Sequence, residues 1–211
     1  MLEAELSDRS LSLHGLVLAG GRSTRMARPK PNLAYGATSL TFARAAVQKL
    51  VRVGCQPVCL SLAEDQAVPV DLESLTLLRD PPGLSGPPAA FWAAWDHQPT
   101  AAWLVLACDL PRVSVDCLQA LISAGEEAPE AAAIAFHHPA DDRPEPLCAL
   151  YRPSIRASLP AHEAFSPRRL LEAESVCRIQ LPSGAENALN DCDFPDDYAA
   201  FQADTRANNP D

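Results

Sequence analysis

Two short stretches of the chain carry residue types suited to phosphate and metal chemistry. The first, LAGGRSTRMARPK, runs from Leu18 to Lys30. Gly20 and Gly21 let the backbone approach a ligand closely, with exposed amides directed at it. Arg25 can offer a two-pronged fork to phosphate oxygens, and Lys30 a compact charge able to neutralise a departing pyrophosphate. Arg22, Arg25, Arg28 and Lys30 fall within nine residues, where a uniform scatter of basic residues would put roughly one. Acids usually alternate with bases in a solvated loop, yet Asp and Glu are absent from Leu11 through Ser61. That absence suits a site for a polyanion. The spacing matches neither a Walker loop nor the dinucleotide G-x-G-x-x-G pattern.

The second stretch is ACDLP, Ala107 to Pro111. Asp109 follows an apolar run and precedes a proline, the place for a strand-end magnesium ligand. Mg²⁺ keeps most of its waters and takes one or two carboxylates plus substrate phosphates, so one aspartate suffices. The alternative is an aspartate that caps a turn or the next helix.

These residues need elements to position them. Leu13 to Leu18 is an apolar run ending in glycines and predicts a first buried strand. Thr38 or Ser39 is expected to cap a helix running to about Val53, with Leu40, Ala43, Val47, Leu50 and Val51 at helical spacing and Gly54 as its stop. Further strands are expected at Val58 to Leu62, Leu75 to Leu78, Trp103 to Ala107, Ala131 to Phe136, Leu147 to Tyr151 and Val176 to Leu181. Helices are expected at Ala89 to Asp96, from a Ser114 cap to about Ser123, at Arg168 to Ala173 and at Pro195 to Ala203. Strands alternating with helices imply an α/β fold: a mainly parallel sheet with helices on both faces and a binding crevice at the carboxyl ends of its strands.

Composition bounds the possibilities. The 211 residues suit one domain, divided here into a loose lead-in over 1–12, the domain over 13–203 and a flexible tail over 204–211. Twenty prolines cluster in loop positions and argue for stiff, shaped turns. A net charge of −10 disfavours a nucleic-acid backbone or an anionic membrane as partner, while leaving room for a small anion at the local basic cluster. Seven scattered cysteines lack a C-x-x-C pair and read as reduced thiols, those at Cys59, Cys108 and Cys148 being buried. The absence of an apolar run of membrane length or of a signal-like start makes cytoplasm the expected location.

Taken in order, LAGGRSTRM, DPPGLSGPP, LACDLP, EPLCALYRP, SPRRLLE and DCDFPDDY resemble successive motifs of the molybdenum cofactor guanylyltransferases, over about Leu16 to Phe201. The resemblance implies a single-domain Rossmann-like nucleotidyltransferase fold, GTP and molybdopterin or molybdenum cofactor as substrates, and Mg²⁺ as the ion. It also implies transient contact with cofactor-biosynthesis or acceptor proteins. By position, Leu18, Ala19, Gly20 and Gly21 match the nucleotide-binding start, and Arg25 and Lys30 the phosphate-contacting bases. Asp80 matches an aspartate near the nucleotide, and Asp109 the magnesium ligand.

The chain departs from that pattern at Ala27, where the family has glycine, and at Pro29, where it has aspartate. Proline before the lysine resembles the cytidylyltransferases for the same cofactor, which keeps CTP as an alternative donor and a non-catalytic binding relative as a third reading. A sugar-nucleotide or isoprenoid-alcohol nucleotidyltransferase shares only the glycine-rich start. In the family's N-x-N-T-P-E-D segment the asparagines become Asp191 and Asp193. Asp193 is therefore either a second metal ligand beside Asp109 or the cap of the last helix. His137 and His138 lack ligand spacing and read as surface loop residues. Trp92 and Trp95 share a helical face and read as core or acceptor-pocket packing. Arg152, Arg168 and Arg169 are weaker candidates for gripping an acceptor phosphate.

Overall fold

The computed structural model describes residues 12–21, 26, 29–138, 142–159, 163–173 and 175–207. Residues 1–11 of the expected lead-in and the basic residues Arg22, Arg25 and Arg28, together with Ala27, lie outside the described residues.

Seven strands form one sheet in the order β3-β2-β1-β4-β6-β5-β7. They are β1 Leu13–Leu18, β2 Val58–Leu62, β3 Thr76–Arg79, β4 Ala102–Ala107, β5 Ala133–His137, β6 Pro144–Tyr151 and β7 Val176–Ile179. The interior strands β2 and β4 are buried at every residue, as their mostly apolar sequences require when helices cover both faces, with Ser61 the one polar residue among them. β6 runs antiparallel to both its neighbours, β4 and β5, and the remaining pairs are parallel. The sheet is thus mainly parallel, as the alternation of elements predicts.

The helices are α1 Phe42–Arg52, α2 Pro87–His97, α3 Val115–Glu127, α4 Pro167–Leu170 and α5 Pro195–Ala207. The crossover through α1 leads from β1 outward to β2, and the one through α2 returns from β3 to β4. Right-handed connections running in opposite directions put these two helices on opposite faces. Their contacts agree: α1 packs on β1, β2, β4 and α3, and α2 on β1, β2 and β3. The β1/β4 boundary is where the chain changes direction across the sheet, and crevices form at such points.

Several boundaries differ from the sequence expectation for local reasons. Thr41, rather than Thr38 or Ser39, caps α1 by accepting the Arg44 N–H at 3.2 Å. The Thr38 hydroxyl instead donates to the Tyr35 carbonyl, inside a loop closed by a bridge between Ala34 and Thr41. Val51, expected on the buried face, is 51% exposed. Ser114 caps α3 as expected, but that helix runs on to Glu127. α4 is one short turn ending at Leu170. α5 continues to Ala207, into the segment expected as a tail, with Asp204 paired to Arg112 at 2.8 Å and Phe201 buried against Phe42 and Tyr35.

Trp92 and Trp95 are fully buried with Phe91 in α2, which makes them core residues. The seven cysteines are all unbonded, and six are buried. No described helix is long and apolar enough to cross a membrane.

Candidate functional site

The carboxyl ends of β1 and β4 lie side by side, with Leu18 paired to Ala107. Each strand delivers its motif into the same cleft. It is lined by Leu18, Ala19, Gly20 and Gly21 from the glycine-rich turn and by Cys108 and Asp109 from the second turn. Lys30 and Asp193 complete its polar side, with Leu147 and Pro87 among its apolar walls. The two glycines are required by shape. Gly21 has φ of 125°, a region that side chains disfavour, and a Cβ on Gly20 would sit 3.3 Å from the Ala63 nitrogen.

Lys30 opens a 3₁₀ turn, Lys30–Asn32, entered through Pro29 with φ at −56°. Proline suits this entry because its fixed φ matches and a helix start leaves its first amides unpaired. The Lys30 ammonium donates to Asp109 Oδ2 at 2.8 Å and to Asp193 Oδ1. Burial alone would lower its pKa, but the two carboxylates, Asp109 foremost, outweigh that and hold it above the ordinary lysine value. Two carboxylates from distant parts of the chain thus converge on one cation.

The segment that brings Asp193 is fastened to the Asp109 turn, since the Cys192 N–H donates to the Asp109 carbonyl at 2.9 Å. Asp197, in the first turn of α5, accepts the N–H groups of Asp193 and Phe194 at 3.1 and 2.7 Å. The Asp193 side chain thus meets the Lys30 ammonium, while Asp197 accepts the amides at the entry to α5. Among the described residues no group of three or more His, Cys, Asp or Glu could hold a metal ion. The Asp109 and Asp193 pair would therefore need substrate oxygens to complete a shell.

A second compartment adjoins the first at Gly21. It is lined by Ala63, Glu64, Asp65, Gln66, Asp80, Leu84, Ser85 and Gly86. Asp80 directly follows β3 here, its pKa raised by burial and restrained by the N–H of Gly86. Its ionisable side chains are all carboxylates, which can only accept hydrogen bonds when ionised. Gln66 donates from Nε2 to the Ala19 carbonyl at 2.8 Å and so ties the compartment to the glycine-rich turn.

The sequence reading overlooked Glu64, Asp65 and Gln66. Their signal was present as a polar run, AEDQ, at the carboxyl end of a buried strand. It overlooked Leu147 as well, which carried none. Arg152 is a correction: its guanidinium donates to the carbonyls of Gly125, Ala128 and Ala131, at 2.5, 2.8 and 2.5 Å. It staples the end of α3 to the sheet and is not directed at an acceptor. Arg168 and Arg169 are exposed on α4. His137 is also a correction, being the half-buried last residue of β5 rather than part of a surface loop. Arg25, expected on phosphate, lies outside the described residues.

The crevice thus sets bare backbone at one strand end beside a carboxylate pair around a lysine at the next, groups whose chemistry suits phosphate and cations. That is the architecture of the nucleotidyltransferases. The chain belongs to a particular branch of them, since the model of the MobA-like NTP transferase domain matches residues 15–178. The chain is 31% identical over 199 residues to a probable molybdenum cofactor guanylyltransferase of Synechococcus elongatus, covering 91% of this chain and 99% of that one. It is 30% identical over 190 residues to a molybdenum cofactor biosynthesis bifunctional protein of Synechocystis sp.. That match covers 88% of this chain and 52% of the longer protein, so the chain spans about half the length of that relative. Among solved structures, molybdopterin-guanine dinucleotide biosynthesis protein A of Archaeoglobus fulgidus superposes with a TM-score of 0.72. It is 20% identical, with 92% of this chain and 99% of that one covered, and the likeness bears on the fold.

Proposed function

We propose that this protein transfers GMP from GTP to the terminal phosphate of molybdopterin or the molybdenum cofactor, releasing pyrophosphate. The observation that carries this reading is the Lys30 ammonium held between Asp109 and Asp193 at the mouth of the glycine-rich turn. A cation is already stabilised where two carboxylates meet, and a divalent ion fits the same donors. Mg²⁺ is the natural choice, because it binds through one or two carboxylates and takes its other oxygens from phosphates and water. When bound it would supply positive charge to the α-phosphate as the pentavalent transition state forms.

The chain's own groups do the rest. The amides of Gly20 and Gly21 are assigned to the phosphates, and Lys30, released from the carboxylates, neutralises the departing pyrophosphate. Arg25 is assigned to the same phosphates. No general base is required, because the attacking phosphate monoester is already anionic at neutral pH. The task is alignment of attacking and leaving oxygens, which motifs carried on adjoining strand ends favour.

Guanine as the base is supported by the second compartment. Guanine presents two adjacent donors, its ring N–H and exocyclic amine, whereas cytosine presents one donor and two acceptors. A wall of Glu64, Asp65 and Asp80 carboxylates pairs with the first and repels the second. The relatives' names point to the same base. Calorimetric titration of the Mg²⁺-supplemented protein with GTP, CTP and ATP tests the reading, with Asp109→Ala and Lys30→Ala as controls. Selective GTP binding that weakens in both variants is expected, and CTP preference or metal-independent binding would refute it.

A further inference from the structure

Lys49 sits in the last turn of α1, where its side chain is partly buried. Nζ donates to the Pro111 carbonyl at 2.8 Å and lies 4.8 Å from the centre of the Tyr35 ring. The Tyr35 hydroxyl donates to the same carbonyl at 3.1 Å. The titratable groups facing the ammonium from the elements packed around it are Cys117 of α3 and Cys148 of β6, both thiols. Among the described residues, Lys49 has no carboxylate partner.

Such a placement is costly. Burial pushes the Lys49 amine down to about 8, well under the ~10.4 of an unfolded chain. Below pH 8 the fold carries a desolvated charge with only a carbonyl and a ring face to offset it. Where a local rule is broken without compensation nearby, the reason is commonly functional.

The position of Pro111 supplies that reason. It lies two residues beyond Asp109, in the turn between β4 and α3. The near end of this turn is fixed by the Cys108 N–H on the Leu18 carbonyl and by the Cys192 N–H on the Asp109 carbonyl, at 3.0 and 2.9 Å. The far end is fixed by two donors converging on one oxygen. We propose that Lys49 is a positioning residue for Asp109: with the Tyr35 hydroxyl it clamps the Pro111 carbonyl and sets the turn that aims the Asp109 carboxylate into the cleft. This rests on the proposed role of Asp109 toward the metal and the nucleotide. Lys49 touches neither substrate nor cation and acts only through the turn.

A structural role and a positioning role predict different results for Lys49→Met, which keeps the length of the stem and removes the charge. If Lys49 only held the fold together, stability and function would fall together. As a positioning residue it is a burden on stability, so the thermal midpoint of Lys49→Met stays level or rises. Its Mg²⁺-dependent GTP affinity or kcat falls by roughly tenfold, the scale typical of outer partners of metal ligands. Lys49→Arg, which keeps donor and charge, recovers most of the loss. Tyr35→Phe, which removes the second donor and leaves the ring, gives a smaller loss of the same kind. Wild-type kcat declines as pH rises through about 8, where the ammonium is lost, and that inflection is missing in Lys49→Met.

The decisive set is calorimetric GTP titration, melting and pH–rate profiles on wild type, Lys49→Met, Lys49→Arg, Tyr35→Phe and Asp109→Ala. Wild-type affinity and kcat in both Lys49→Met and Tyr35→Phe would overturn the inference, as would a loss matched by a proportionate drop in melting temperature. If Asp109→Ala itself leaves GTP binding and turnover intact, the failure belongs to the proposed function instead.

Discussion

Two lysines are tied to the turn from Cys108 to Arg112, and their surroundings contrast. Lys30 reaches it from the cleft and shares its charge with Asp109 and Asp193. Lys49 reaches it from α1 and finds only the Pro111 carbonyl and the Tyr35 ring. The first is held more basic than a free lysine, because carboxylates outweigh burial, and the second less basic, because nothing does. On the proposed function, a divalent ion would take from Lys30 the oxygens that now hold its ammonium. A cation against a carbonyl has no such replacement and serves to hold geometry. On that proposal the same turn joins a loadable face to a fixed one.

The strongest way to break this contrast is to remove what Lys30 shares. Asp109→Ala should lower turnover by about a hundredfold or more, the scale for losing a main electrostatic contact in a transition state, while the melting temperature is largely kept. Pyrophosphate release measures the first and calorimetry the second. A smaller but more diagnostic effect is expected from Lys30→Met, because its two consequences have opposite signs. GTP should bind roughly tenfold more weakly for want of a charge-assisted phosphate contact. Mn²⁺ added alone should bind more tightly, since the carboxylates no longer hold an ammonium. Weakening of both titrations would mean that lysine and metal do not compete.

Asp80→Asn probes the other compartment and should reduce the preference for GTP over CTP by several-fold, from loss of one hydrogen bond to a charged acceptor. Competition binding measures it. The smallest effect concerns stability and pH. The folded pKa of Lys49 lies below its unfolded value, so the unfolded state binds more protons between about 8 and ~10.4 and stability rises across that window. For Lys30 the sign is reversed: its contribution is complete below ~10.4 and is lost above, as pH climbs through the raised folded pKa. Melting curves from pH 8 to 10 should therefore show a rise in wild type relative to Lys49→Met and none relative to Lys30→Met.

Much of the fold was legible because its central strands are buried on both faces, and an unbroken apolar run such as that of β4 admits few other readings. Boundaries were less so. Thr38, Ser39 and Thr41 are all cap-type residues, and only the bridge from Ala34 to Thr41 decides among them. The long α5 docks through Phe201 on Phe42 and brings Asp204 to Arg112, 92 residues away. In the site, the glycine-rich turn and Asp109 could be read from local chemistry. The convergence of Lys30 on Asp193 spans 163 residues and arises from packing of the C-terminal segment on the β4 turn. Arg152 was misread for the same reason, its three carbonyls being assembled only by the fold. Lys49 gave no signal, since a lysine in the last turn of a helix ordinarily faces water and the helix dipole.

The central claim is a reaction, and one assay addresses it: incubation of the protein with GTP, Mg²⁺ and molybdopterin, followed by mass spectrometry of the pterin product and quantitation of pyrophosphate. A guanine dinucleotide formed in equal amount with pyrophosphate, absent with Asp109→Ala, is the predicted result. An unchanged pterin, or a cytosine dinucleotide formed in preference when CTP is also supplied, would contradict it.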